Sequence, residues 1–172
     1  MNKMSAKVVM AAATALLSTV AIAPPSHARA VWDTSPVRVT HNVSPVPKVV
    51  DLRVGEHRNF DRVVIDLDGK VPGYTVKYVR SLTYDGSGEA VPLRGRKFMS
   101  ITLFPAKAHN NSGGSVYEGP KLRQYHLPAL RGVAFTGDFE AQVSFGLALR
   151  KRSDFRVFTL HKPNRIVIDV RH

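Results

Sequence analysis

Two segments of this chain share one pattern: an arginine, three β-branched residues, an aspartate and an aliphatic residue. They are residues 62–67 and 165–170. In a β-strand, successive side chains alternate between the two faces of the sheet. The charged residues of each segment therefore share one face, and the aliphatic residues fill the other. The pattern predicts two strands, each with a fully apolar face.

The charges in the two segments also constrain how they would pair. An antiparallel pair centred on Val64 and Val167 would place each arginine opposite the aspartate of the other segment, whereas a parallel pair would oppose like charges. The ion pairs would be Arg62 with Asp169 and Arg165 with Asp66. Direct antiparallel pairing is therefore one hypothesis. The alternative is that charged, Val/Ile-rich strands recur by chance and do not pair.

The first thirty residues have the composition of a secretory signal peptide. Lys3 and Lys7 provide a basic start, residues 8–23 form an uncharged run, and residues 28–30 supply small residues for a signal peptidase. The apolar run is shorter than the roughly 20 residues that span a bilayer, which argues against a membrane anchor. No cysteine follows the run, so no lipid attachment is expected. The sequence predicts an extracytoplasmic, secreted protein that does not span the membrane.

The charge balance indicates acidic partners. The chain carries 25 Lys and Arg against 13 Asp and Glu, and 22 against 13 remain after the predicted signal peptide is removed. Such a charge favours phosphate-bearing wall polymers, anionic lipid surfaces or nucleic acid, although it can also serve solubility alone. We expect no nucleic acid partner. Cysteine is absent, which excludes disulfides, thiolate nucleophiles and cysteine metal sites.

The rest of the chain divides into a linker and a domain, according to its turn residues and the alternation of apolar and polar side chains. Residues 31–48 are proline-rich and predict an extended linker, in which Trp32 is expected to pack back on the domain. Residues 49–172 alternate in short segments and predict a small all-β sandwich of about eight or nine mostly antiparallel strands. A turn is expected at residues 137–138 and a long mobile loop at residues 107–120. The predicted strands are residues 49–54, 60–67, 74–79, 81–84, 98–104, 130–135, 139–149, 155–160 and 165–170.

The histidines and carboxylates show no recognisable catalytic motif. The seven histidines are scattered, and no two have the four-residue spacing of a helical zinc protease motif. His57 and His126 could still meet Glu56, Glu140 or Asp138 in space and hold zinc, so a small zinc hydrolase stays as an alternative. We assign no catalytic residue and expect no metal or cofactor.

Basic and aromatic residues suggest binding instead. Arg53, His57, Arg58 and Arg62 lie around the first predicted turn, where a strand-turn-strand unit would gather them at one end of a sheet. Residues 94–97 and 150–152 form two further basic clusters, although charge clusters in turns are usually only solvated. Tyrosines would add apolar faces for sugar rings. The candidate ligand-binding residues are Arg53, His57, Arg58, Arg62, Tyr74 and Tyr78.

Five segments, in this order along the chain, resemble the AMIN-like domain of exported bacterial proteins. They are residues 50–57, 60–67, 72–74, 137–140 and 163–170. The related AMIN domain is a sandwich of two small β-sheets, found beside the catalytic domain of cell-wall amidases and in secretins, where it targets its host to peptidoglycan or the division site. The resemblance implies a non-catalytic envelope-binding module. The chain has no room for an amidase domain, so wall cleavage is not implied.

The sequence thus favours an exported module that binds peptidoglycan or an attached anionic wall polymer through basic and tyrosine side chains. An alternative is an adaptor that presents a sheet edge to an envelope enzyme or a secretion component.

Overall fold

The computed structural model describes residues 31–172, so the predicted signal peptide lies outside the described residues. This range contains ten β-strands and no helix. The strands are β1 (Val37–Val39), β2 (Lys48–Glu56), β3 (Phe60–Asp68), β4 (Gly73–Val79), β5 (Lys97–Phe104), β6 (Leu122–Gln124), β7 (Leu130–Phe139), β8 (Gln142–Leu149), β9 (Phe155–Leu160) and β10 (Asn164–Arg171). The all-β prediction is confirmed. No helix in this range is long and apolar enough to cross a membrane.

The strands form two antiparallel sheets. One has six strands in the order β1-β4-β5-β8-β7-β6, and the other has four in the order β2-β3-β10-β9. Apolar side chains from both sheets make one buried cluster, to which β3 contributes Val63 and Ile65 and the larger sheet contributes Ile101 and Phe145. The inner faces of the two sheets therefore pack together as a sandwich.

The predicted pairing of the two repeated segments is confirmed. Strands β3 and β10 are antiparallel, with Val64 opposite Val167 and Arg62 opposite Asp169. Arg62 and Asp169 form the expected ion pair, with Nε and Oδ1 2.7 Å apart.

The second predicted ion pair, between Arg165 and Asp66, is wrong although the two residues lie opposite each other. Arg53 of β2 donates two hydrogen bonds to the Asp66 carboxylate, at 2.7 and 2.8 Å. The Arg165 Nε instead donates to the backbone oxygen of Pro163 at 3.2 Å. Arg53, on the second strand that neighbours β3, therefore binds the Asp66 carboxylate in place of Arg165, through two parallel hydrogen bonds.

Part of the segment expected to be a linker belongs to the fold. Strand β1 lies within it and pairs with β4, and Asp33 forms an isolated bridge to Phe155. The Trp32 ring lies 5.9 Å from the Phe60 ring, as expected for an aromatic residue that packs back on the domain. The proline-rich segment is therefore extended because it adds to sheet edges.

The turn expected at residues 137–138 is wrong. Strand β7 continues to Phe139, and the chain reverses at Glu140 and Ala141, whose φ angles are 49° and 58°. Two consecutive positive φ angles are typical of a two-residue type I′ hairpin. Gly137 serves another purpose, because a Cβ at that position would collide with the Asp85 carboxylate.

Two further strand assignments differ from the prediction. Residues 81–84 form no strand and contribute only an isolated bridge between Thr83 and Ala90. Strand β6 was not predicted, since its three residues are all exposed and lack an apolar face.

The loop expected at residues 107–120 packs against the sandwich. Ala108 and Tyr117 are buried, and the Glu118 N–H donates to the Val50 backbone oxygen at 2.9 Å. Ala108 and Tyr117, near the two ends of this segment, therefore belong to the core cluster.

Candidate ligand-binding surface

Alternation along β3 separates a core face from an outer face of the four-stranded sheet. Val63, Ile65 and Leu67 are buried between the sheets. Arg62 and Asp66 therefore point to the opposite side, which no other sheet covers. The repeated pattern in β10 has the same effect, so the polar residues of both strands meet on this outer face.

Asp169 lies at the centre of the outer face and is fully buried. Arg62 donates to its two carboxylate oxygens at 2.7 and 2.9 Å. Arg156 of β9 approaches the Oδ2 atom with Nη2 at 2.7 Å and Nε at 2.9 Å. One carboxylate thus fixes two guanidinium groups, and the group of three carries a net positive charge.

The electrostatic environment favours the charged form of Arg62. Its hydrogen bonds to Asp169 raise the pKa of Arg62 above its ordinary value, an effect that partial burial opposes. The Arg62 side chain remains 27% exposed, so it is held in place without being sealed from solvent.

Aromatic rings surround these guanidinium groups. The Arg62 guanidinium lies 5.2 Å from the Phe60 ring centroid and 5.5 Å from that of Phe158. The Trp32 ring receives Arg156 at 4.5 Å and Arg171 at 4.7 Å. These distances are within the range of cation–π attraction. We call this group the arginine–aromatic cluster: Trp32, Phe60, Arg62, Arg156, Phe158, Asp169 and Arg171.

The structure brings four of the sequence-predicted residues to this face or its adjoining turn. Arg62 belongs to the cluster, and the His57 ring stacks on Phe60 with centroids 4.6 Å apart. Arg53 is exposed and bound to Asp66. Arg58 is exposed in the turn between β2 and β3.

The two predicted tyrosines lie on β4 of the other sheet and do not join this surface. Tyr74 is 7% exposed and belongs to the core, where burial raises its pKa. Tyr78 is half-buried, and its hydroxyl donates to the Ser153 backbone oxygen at 2.7 Å. Burial raises the Tyr78 pKa as well. Neither ring offers a free face beside Arg53 or Arg62.

Much of the arginine–aromatic cluster was not predicted from the sequence. Arg156 and Phe158 alternate on the predicted strand 155–160, so the period of two could have placed both on one face. Trp32 could not be located, because nothing in a proline-rich segment indicates where it returns to the domain. Arg171 directly follows the second repeated segment and lies outside the repeated pattern.

Asp61, next to Arg62 in β3, connects the two sheets. It is 1% exposed and accepts hydrogen bonds from the backbone N–H groups of Ala129 and Leu130, both at 2.7 Å. The His172 Nε2 lies 2.9 Å from its other oxygen. This carboxylate therefore holds the start of β7 and the end of β10 together.

The zinc ligand set considered from the sequence has no counterpart in residues 31–172, where no three His, Asp or Glu residues are grouped to hold a metal. Asp138 instead contacts His109, with Nδ1 and Oδ2 2.7 Å apart.

The described residues define a class: a two-sheet β-sandwich that presents fixed cationic and aromatic groups on the outer face of its four-stranded sheet. The family model of the AMIN-like domain matches residues 47–172, and the chain belongs to this family. The sequence resemblance is thereby confirmed. AMIN-like domains are non-catalytic binding modules that occur in exported bacterial envelope proteins. No curated protein and no solved structure matches the chain.

Proposed function

We propose that the protein is an exported, non-catalytic module that binds peptidoglycan or an anionic polymer attached to it. The proposed surface is the arginine–aromatic cluster together with Arg53 and Arg58. The observation that carries the proposal is the pair of guanidinium groups, Arg62 and Arg156, that buried Asp169 holds in place.

Fixed guanidinium groups lower the cost of binding. Immobilising a flexible side chain on association costs about 0.5–1.5 kcal/mol, and Asp169 has already ordered both arginines. Arg62 uses Nε and Nη2 for Asp169, which leaves its Nη1 donors for a ligand. A planar guanidinium matches the oxygens of carboxylates and phosphates. The carboxylates of peptidoglycan stems and the phosphates of wall polymers are both suitable partners.

The aromatic rings suit the glycan part of such a ligand. Trp32 and Phe158 are partly exposed beside the arginines. Apolar platforms next to a few polar groups are common in ligand sites. The face therefore combines the two kinds of contact that a charged saccharide needs.

Cosedimentation with purified wall tests this proposal. The surface variant Arg53→Gln, Arg58→Gln, Arg171→Gln removes three exposed charges and leaves the Asp169 centre intact. We expect its affinity to fall about tenfold, because each exposed charge contact contributes a fraction of a kcal/mol.

The control variant is Arg38→Gln, Lys70→Gln, Arg123→Gln, which makes the same change in net charge at three exposed positions elsewhere. Its affinity should stay close to that of the wild type. Equal binding by the surface and control variants would contradict the proposed surface.

An adaptor function is a second candidate, favoured by the edge of β9. This strand pairs with β10 on one side, and on its other side only the bridge from Asp33 to Phe155 is formed among residues 31–172. An extended segment of an envelope protein could add to the remaining edge. Capture of one envelope protein that persists after the wall is digested, and that is lost when β9 is blocked by a proline, would favour the adaptor.

A further inference from the structure

A second positively charged site lies at one end of the six-stranded sheet. It is a pocket of about 440 Å³ at the end where β4 finishes and β5 begins. We call it the basic pocket. Its lining residues are Tyr78, Val79, Arg80, Arg96, Lys97 and Arg152.

The pairing of three strands assembles this pocket from distant parts of the chain. Val79, the last residue of β4, pairs with Phe98, and Lys97, the first residue of β5, pairs with Leu149 at the end of β8. The residues that flank these ends, Arg80 and Arg96, therefore meet the connection from β8 to β9. Sheet register alone brings together basic clusters that are far apart in sequence.

Backbone contacts hold the pocket walls. The Arg96 N–H donates to the Leu149 oxygen at 2.8 Å. Gly95 allows this close approach, because a Cβ there would lie 2.9 Å from the Ala148 Cβ. The Ser153 N–H donates to the Tyr78 hydroxyl at 2.9 Å, which fixes the connection beside the tyrosine ring.

Arg152 is also held in position without a carboxylate. Its guanidinium lies 4.4 Å from the Tyr78 ring centroid. Its Nη2 donates to the Thr34 backbone oxygen at 3.3 Å. The tyrosine predicted to contact a ligand thus supports one of the cations of this pocket.

The cations of the basic pocket differ from those of the arginine–aromatic cluster in forming no ion pair. Within residues 31–172, no aspartate or glutamate is paired with Arg80, Arg96, Lys97 or Arg152, whereas Arg62, Arg156 and Arg171 are each paired with an aspartate. No Asp or Glu lines the pocket. Like charges gathered in one concave site raise the local potential and attract an anion.

We propose that the basic pocket binds the phosphate group of a phosphodiester-linked polymer. Charged donors reach it from three segments, an arrangement that suits the several oxygens of a tetrahedral phosphate. The volume also exceeds that of a phosphate alone, which leaves room for the attached polyol or sugar unit. The inference rests on the proposed function in taking this polymer to be part of the wall.

A polymer is favoured over a lipid surface as the source of the phosphate. The exposed large hydrophobic residues of the described chain are Val31, Val46, Phe104, Leu122 and Phe139. None of them lines the pocket. Stable attachment to a bilayer requires apolar side chains inserted among the lipids in addition to charge.

Calorimetric titration with a short glycerol phosphate oligomer tests the proposal. The pocket variant is Arg80→Gln, Arg96→Gln, Lys97→Gln, in which all three replaced residues are exposed. We expect its affinity for the oligomer to fall about tenfold or more. The variant Arg38→Gln, Lys70→Gln, Arg123→Gln, with the same change in net charge, should remain within about twofold of the wild type.

The possible outcomes separate this inference from the proposed function. Equal weakening in both variants would overturn the pocket, because binding would then follow net charge. Wall binding without oligomer binding would also overturn it and leave the proposed function standing. Oligomer binding that the pocket variant loses, without wall binding by the wild type, would support the phosphate site and contradict the proposed function. Binding to phosphatidylglycerol vesicles but not to the oligomer would overturn the pocket in favour of a lipid surface.

Discussion

Asp169 is a buried residue that contributes both to the fold and to the proposed binding surface. Its carboxylate is fully buried and contacts two arginines. A buried ion pair is a costly way to gain stability, because both charges lose their hydration. This ion pair also positions two guanidinium groups among the aromatic rings on the outer face of the four-stranded sheet.

The Asp169→Asn variant should lose about 3 kcal/mol of unfolding free energy, because two arginines would then lack a countercharge. Urea denaturation measures the change. The matched control is Asp66→Asn, whose exposed partner Arg53 should make the loss less than about 1 kcal/mol. Similar losses in the two variants would show that burial does not distinguish these carboxylates.

The buried tyrosines give a prediction at alkaline pH. Burial raises the pKa of Tyr74, Tyr78 and Tyr117 above the ordinary value of 10, most strongly for Tyr117. Above pH 10 the unfolded chain therefore releases protons that the folded chain retains. Stability contributed by the neutral rings is present below that pH and declines as the pH rises above it.

Urea denaturation at pH 9 and pH 11 measures this decline. The Tyr117→Phe variant should show a smaller decline than the wild type, because it removes the tyrosine with the largest shift. The matched control is Tyr84→Phe, at a tyrosine that is partly exposed. An identical decline in all three proteins would contradict the assignment to Tyr117.

At the scale of elements, the repeated segments were the most predictable part of the fold. Their alternation fixed both faces, and opposite charges fixed the register of β3 against β10. The competition for Asp66 could not be predicted, because it depends on Arg53 arriving from a third strand. Strand β6 was missed because its three residues are exposed and carry no apolar face. Strand β1 was missed because a Val-Arg-Val segment among prolines is too short to establish alternation, although both valines pack against the core.

The hairpin between β7 and β8 illustrates a second limit. Gly137 and Asp138 have the composition of a turn, yet the glycine is needed where Asp85 packs closely. The turn itself consists of Glu140 and Ala141, neither of which is typical of positive φ. The position of the turn is therefore set by packing between residues distant in sequence, such as Gly137 and Asp85, and not by the residue types that favour turns.

Replacing the turn with its preferred residues should stabilise the protein. The Glu140→Asn, Ala141→Gly variant removes the steric cost of two positive φ angles, and we expect a gain of about 1 kcal/mol. Thermal or urea denaturation detects it. The control Ala90→Gly, at an exposed position without a positive φ, should be neutral or slightly destabilising. A less stable turn variant would contradict the hairpin geometry.

At the scale of the whole molecule, the basic charge is divided between two kinds of surface. The arginine–aromatic cluster contains cations ordered by carboxylates, and the basic pocket contains cations without countercharges. Sequence clustering proposed Arg53, His57, Arg58 and Arg62 as one group. Arg53 and Arg62 lie on the neighbouring strands β2 and β3, and His57 and Arg58 lie in the turn between them. Sequence clustering could not show that residues 96–97 and Arg152 line one pocket, because their approach depends on the register of β5 against β8.

The salt dependence of binding to purified peptidoglycan tests the central claim most directly. The protein should cosediment with the wall at low salt and dissociate as ionic strength rises, because exposed charges are screened within about 10 Å at 0.1 M. The surface variant Arg53→Gln, Arg58→Gln, Arg171→Gln should bind more weakly at low salt and lose less affinity across the series. Wild-type affinity that does not change with salt, or a surface variant whose salt curve matches that of the wild type, would contradict the account.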